Sequence, residues 1–284
     1  MCDAGSTSWI EISRDRLTAN FRVLAEAAAA TGVLAVVKAN AYGHGANVCA
    51  VELVRAGACW LGVATASEGA QLRAALNATG FVAERAPAIL VMCGILEQDV
   101  SEIVEHRLTP VVWTPQQVGW LAGRGVRAHV EVETGMGRQG ASPGAALDAL
   151  LDAMAAVEVE LDGILTHFCA AEFADRSLTG AQQRKFEAAL AQLRRRGLRP
   201  AWVHAGSSSS LDNPAQGREA AWLQQLAKTV AAQPMVRCGI ALYGYCLPIA
   251  GPHTEAMQEK IRPALQPVMT WKTRVIDVRD AAAG

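Results

Sequence analysis

Short runs of Val, Ile and Leu alternate along this chain with longer stretches in which apolar residues recur every three or four positions. Ser13 has the chemistry of an N-cap, and Leu17, Phe21, Leu24 and Ala28 form one stripe behind it, so a helix is predicted that stops at Gly32. The run 33–37 follows as a compact buried strand. Similar runs stand at 60–63, 88–92, 108–112, 126–132, 161–166 and 201–205, separated by helical patterns such as 67–76 and 181–196, the latter with Phe186, Leu190 and Leu193 in line. Continuous apolar strands alternating with helices mean a parallel sheet covered on both faces. About eight such units predict an α/β fold, a closed (β/α)8 TIM barrel. The open doubly wound sheet is the rival, but its G-x-G-x-x-G turn is absent after Val37. In a barrel the reactive side chains are expected where strands end and loops begin.

The pattern changes towards the end. Beyond Pro263 no helix is predicted, and 267–278 reads as one extended strand of alternating character with no partner after it. The expected organisation is a barrel domain over 1–250, then, over 251–284, a linker and the first strand of an incomplete C-terminal β domain.

Composition narrows the function classes. Lys+Arg 26 against Asp+Glu 27 leaves a formal charge of -1, with no net pull towards nucleic acid or an anionic membrane. The one basic cluster, Arg194, Arg195, Arg196 and Arg199, reads as the cationic end of a helix. No apolar run reaches the ~18 residues of a membrane span, and the first residues lack a signal-peptide layout. A cytoplasmic protein with a small-molecule substrate is expected. Seven scattered cysteines without a C-x-x-C pair argue against a disulfide framework and against a thiolate metal site, and no metal is expected.

Lys38 emerges from the apolar strand 33–37. Partial desolvation favours a neutral amine able to act as nucleophile or base, although an arbitrary strand-end lysine more often reaches for water. Its surroundings are specific: Lys38-Ala39-Asn40-Ala41-Tyr42-Gly43-His44-Gly45. Further along come Glu133-Thr134-Gly135-Met136-Gly137-Arg138, Thr166-His167-Phe168, His204-Ala205-Gly206-Ser207-Ser208, Arg237-Cys238-Gly239-Ile240-Ala241-Leu242-Tyr243-Gly244, and the tail 269–279. In these strings, in this order, the chain resembles the bacterial alanine racemases over essentially its whole length.

The resemblance implies a pyridoxal 5'-phosphate enzyme of fold type III that interconverts L- and D-alanine. By it, Lys38 holds the cofactor and is one of two bases. Tyr42, Ser208 and the backbone of Gly239 and Ile240 cradle the phosphate, where small residues let the main chain approach an anion. Arg237 faces the pyridine nitrogen. A permanently protonated arginine keeps that nitrogen unprotonated, which weakens the ring as an electron sink and suits racemisation. His204 lies beside Arg237, His167 near the ring, and Arg138 near both the cofactor's phenolic oxygen and the substrate carboxylate. A homodimer is implied for the full-length form, and D-alanine for peptidoglycan as the product.

Three positions depart from the family. Glu131 stands where many relatives carry a lysine that becomes carbamylated, and it is expected to supply the same negative charge, with Arg127, His129, Glu131 and Glu133 alternating onto one strand face and Arg138 just beyond. Ser207 replaces a usual asparagine. The tyrosine that acts as second base in relatives, across the subunit interface, is expected to lie beyond Gly284; Tyr243 and Tyr245, the nearby phenols, belong to a different motif. Two alternatives remain open: a non-enzymatic pyridoxal-phosphate-binding barrel, and a serine or broad-specificity racemase.

Overall fold

The computed structural model describes residues 7–82, 85–216, 219–251 and 259–280. Eight strands close a parallel barrel in sequence order: β2 (Gly32–Val36), β3 (Trp60–Val63), β4 (Ala88–Val91), β5 (Thr109–Val112), β6 (Arg127–Glu131), β7 (Glu160–Leu165), β8 (Trp202–His204) and β9 (Gln233–Cys238), with β9 returning to β2. The predicted strands lie within these or overrun them by a residue or two. β9 was not among the runs picked out by hydrophobicity, because Gln233 and Pro234 open it.

The connecting helices are α1 (Arg14–Ala28), α3 (Ala46–Arg55), α4 (Ala66–Ala78), α5 (Val100–Glu105), α6 (Pro115–Trp120), α7 (Ala145–Ala156), α8 (Ser177–Arg195), α9 (Ser208–Asp212) and α10 (Glu219–Lys228). A further short turn, α2 (Lys38–Tyr42), belongs to the site. The Ser13 hydroxyl caps α1 by accepting from the Arg16 amide, as expected. The stop is not Gly32, however. α1 ends at Ala29, which takes a left-handed φ of 52°, and Gly32 already starts β2. Strand residues alternate between two cores: Leu34 and Val36 point inward with Trp60, Leu90, Val111, Leu165 and Met235, while Ala35 and Val37 face the helices.

The tail corrects two expectations. Arg262–Ala264 forms a 3-10 turn, and the strand is shorter than 267–278: it is β10 (Met269–Thr273), and 274–280 carry no regular structure. It also has a partner. β1 (Ser8–Ile12) pairs with it antiparallel, Ser8 opposite Thr273 and Ile12 opposite Met269, forming a two-stranded sheet beside the barrel. Alternation alone did not reveal β1, whose residues are mostly exposed. Buried Asn20 anchors the segment before β10: its amide donates to the carbonyls of Leu242 and Gln266, and its oxygen accepts from the Gln266 amide.

Candidate active site

At the C-terminal end of β2 the backbone reverses hand. Ala39, Asn40, Ala41 and Tyr42 have φ values of 52°, 53°, 55° and 52°, one turn of left-handed helix closed by Gly43. Each such residue costs ~1–2 kcal/mol in an L-polypeptide, so the turn must be held from outside. Glu68 of α4 accepts from the Ala39 amide at 2.8 Å and from the Ala64 amide at 2.7 Å. Asn40 Oδ1 takes the Ala46 amide, and His44 Nδ1 donates to the Ala41 carbonyl. The turn throws Lys38 and Tyr42 to the same side, into a cavity of about 450 Å³ at the barrel mouth.

The other wall is built from β8, β9 and the loops that follow them. Ser208 Oγ accepts from the amides of Gly239 and Ala241. A Cβ on Gly239 would stand 2.5 Å from Tyr42 Oη, so only glycine lets the phenol reach this backbone. Tyr42, Ser208, Gly239 and Ile240 thus converge on one spot of the pocket wall.

Arg237 crosses the floor, buried. Its Nη2 donates to the Thr166 carbonyl at 2.7 Å and to His167 Nδ1 at 3.1 Å, and its Nη1 reaches His204 Nδ1 at 3.3 Å. Burial lowers its pKa to about 10, with Glu131 opposing that shift, and it keeps its charge at neutral pH. Burial and the Arg237 charge hold His167 at about 3 and His204 well below the usual imidazole range. Both rings are therefore neutral and accept from the guanidinium. The chain continues downward: His204 Nε2 meets His129 Nδ1 at 2.8 Å, and His129 Nε2 donates to Asp162 at 3.1 Å. Room for the His129 ring comes from Gly163, where a Cβ would lie 2.6 Å from it.

β6 carries the anion. Glu131 is buried; burial raises its pKa, while the Gln139 amide and the charges of Arg237 and Arg138 pull it down. Gln139 Nε2 donates to Glu131 Oε2 at 2.5 Å and to the Met92 carbonyl at 2.9 Å. The expected common face holds only in part. His129 and Glu131 face the interior, but Arg127 is exposed at the bottom and pairs with Asp162. Glu133 turns back to accept the amides of Gly135, Gly137 and Arg138, because the strand has ended and those amides need an acceptor.

The model of the alanine racemase N-terminal domain matches residues 12–247. The chain belongs to the alanine racemase family. It is 35% identical to the alanine racemase of Symbiobacterium thermophilum across 99% of its own length and 68% of that protein's. The solved alanine racemase of Streptomyces coelicolor superimposes with a TM-score of 0.75 at 30% identity, over 93% of this chain and 66% of that one. The Bacillus anthracis enzyme with bound L-Ala-P gives 0.75 at 26%, over 95% and 64%. The activity class is accordingly that of an isomerase, an amino-acid racemase, and the fold of these relatives is the barrel described above.

The structure gathers Lys38, Tyr42, Arg138, His167, Ser208, Arg237, Gly239 and Ile240 on one cavity, with His204 directly behind Arg237. Tyr243 is buried, its hydroxyl spent on the Val36 carbonyl. The sequence reading missed Glu68, Gln139, Asp162 and Gln182, and saw His129 only as a strand residue. Gln182 of α8 donates to Thr134 and to the His167 carbonyl and accepts the Cys169 amide, fixing the loop that carries His167. None of these sits in a local string, and no sequence signal marks them.

Proposed function

We propose that this racemase uses pyridoxal 5'-phosphate to interconvert L- and D-alanine. The convergence of Lys38, Tyr42, Ser208 and Arg237 on one cavity carries this reading. The donor set fits the group: a lysine amine for its aldehyde, hydroxyls and backbone amides for its phosphate, and a guanidinium among neutral imidazoles for its ring nitrogen. Glycine at 239 lets the Tyr42 hydroxyl approach the main chain, which puts a phenolic donor beside the Gly239 and Ile240 backbone. When bound, the cofactor makes the Cα proton of an amino acid acidic.

The residues supply the rest. Lys38 Nζ holds the cofactor and takes or returns the Cα proton on one face of the substrate. Arg237, cationic at neutral pH, withholds a proton from the ring nitrogen, and His204 and His167 fix its plane by accepting its hydrogen bonds. Arg138, exposed at the rim, is placed for the substrate carboxylate. Glu131 is the counter-anion of the cationic floor. Relatives crystallised with cycloserine and with L-Ala-P support a ligand of alanine's size. The same reading makes the full-length form a homodimer and places it in the cytoplasm, feeding D-alanine to the cell wall; no helix among the described residues is long and apolar enough to cross a membrane.

Borohydride reduction of the cofactor-treated protein, followed by peptide mapping, is expected to place the label on Lys38. A label on any other lysine overturns the assignment. Lys38→Ala is expected to lower turnover by at least about a thousandfold, measured as interconversion of the two alanine enantiomers.

A further inference from the structure

At the opposite end of the barrel from Lys38, where β4, β5 and β6 begin, a second cavity of about 450 Å³ is lined by Arg73, Arg107, Arg127, Glu105 and Thr109. Its three guanidiniums are not equivalent. Arg127 brings a charge already compensated by Asp162. Arg73, on α4, is buried; its Nε donates to the His106 carbonyl at 3.1 Å and its Nη1 to the Pro87 carbonyl at 2.9 Å. These bonds tie α4 to the segments that enter β4 and β5, and they leave Nη2 without an acceptor among the described residues. Arg107, just beyond α5, is exposed, and its side chain has no ion pair or hydrogen bond among the described residues. Burial, and then the Arg107 charge, lower the Arg73 pKa, so each cation feels the other. The one carboxylate on this wall, Glu105, is exposed and pairs with neither.

A buried guanidinium beside a second one is unfavourable until an anion joins them. Arg73 has a share in holding the fold together, but Arg107 secures no other element, and its charge gains a purpose only from something that enters the cavity. We propose that this cavity binds a phosphate group, as the free dianion or as a small monoester, between Arg73 Nη2 and the Arg107 guanidinium. The flat, forked donors of arginine match phosphate oxygens two at a time, and the Thr109 hydroxyl at the start of β5 adds a neutral donor. Val82 and Ala86 on the same wall offer an apolar surface to the carbon side of an ester. The site is separate from the Lys38 cavity and does not depend on which cofactor that cavity takes.

Calorimetric titration of the cofactor-treated protein with inorganic phosphate and with glycerol 3-phosphate, in a buffer free of other phosphate, is expected to show one saturable site per chain. Tighter binding of the ester identifies a phosphorylated metabolite as the source, and equal binding identifies free phosphate. Arg107→Met, a change at an exposed position, is expected to weaken binding by about tenfold or more and to leave the Tm without phosphate within about 2 °C. Arg107→Glu, which reverses the charge, is expected to abolish binding. Arg73→Lys keeps the charge but loses the fork, and about threefold to tenfold weaker binding is expected; if it does not fold, the two Arg107 variants decide alone. The absence of a saturable site for either probe up to about 10 mM overturns the proposal, as does unchanged affinity in both Arg107 variants, which would place the phosphate elsewhere.

Discussion

Glu219 opens α10 with a buried carboxyl, and burial pushes its pKa up to about 7, offset only in part by the Ser210 hydroxyl and Arg176. Unfolded, a glutamate titrates near ~4.3. Between those values the native protein holds a proton that the unfolded chain has released, so stability present at lower pH is lost as pH rises through about 7. Glu219→Gln is therefore expected to raise Tm at pH 8 by about 3 °C or more and to leave it unchanged at pH 4, as calorimetric melts would register. Residues like this one mark what the sequence hides. Lys38, Tyr42, Arg138, His167, Ser208 and Arg237 were legible because each sits in a string whose neighbours set its local geometry. Asp162, His129 and Gln139 were not, since each gains its meaning from a partner on another strand or loop. His129 meets Asp162 33 positions away and His204 75 positions away, distances that only the closed barrel spans.

Among the elements, α2 is the one whose sequence and conformation disagree most. Nothing in Lys38-Ala39-Asn40-Ala41-Tyr42 announces four left-handed residues, because alanine and tyrosine take that region only when forced. The force comes from Glu68, Asn40 and His44, of which the first belongs to another helix. Ala39 is exposed, so Ala39→Gly removes strain without opening a cavity. The expected gain is about 0.5–1 kcal/mol after the added freedom of the unfolded chain is subtracted, read from urea denaturation. Turnover should fall in the same variant, because Lys38 is then fastened by a looser turn. The strands of the barrel were readable for the opposite reason: buried on both faces, they spell themselves out as apolar runs. β1 and β10 escaped that logic, being partly solvated and recognisable as partners only by their register.

For the molecule as a whole, the barrel interior is a mixed medium. Leucines and valines fill it, but Arg237, His204, His129 and Asp162 thread it from the mouth towards the floor. His129, His167 and His204 all have pKa values depressed by burial, and Asp162 stays below its ordinary value: burial works against its charge, but the His129 hydrogen bond and the charges of His129 and Arg127 outweigh it. Histidines depressed in this way contribute stability that is present above the unfolded value near ~6.5 and lost as pH falls below it. Each contributes up to about 1.4 kcal/mol per pH unit over its window. In the Glu219→Gln background, where the opposing titration is gone, the melting temperature is expected to drop steeply between pH 6.5 and pH 5, with net proton uptake on unfolding. A flat Tm there would mean that the rings are already charged in the native state.

The small sheet beside the barrel has a consequence for how the chain reaches this state. Trp271 Nε1 donates to Ser8 Oγ across 263 positions of sequence, and the β1–β10 ladder depends on the same long closure. Its sequence separation exceeds that of consecutive barrel strands, which pair after a few tens of residues, and also that of the closing β2–β9 pair, in which Gly32 meets Met235. During synthesis, β1 thus waits for its partner until the barrel strands between them have been made. Ring closure and sheet zippering become separate events in folding, and the second can be slowed or lost while the first proceeds.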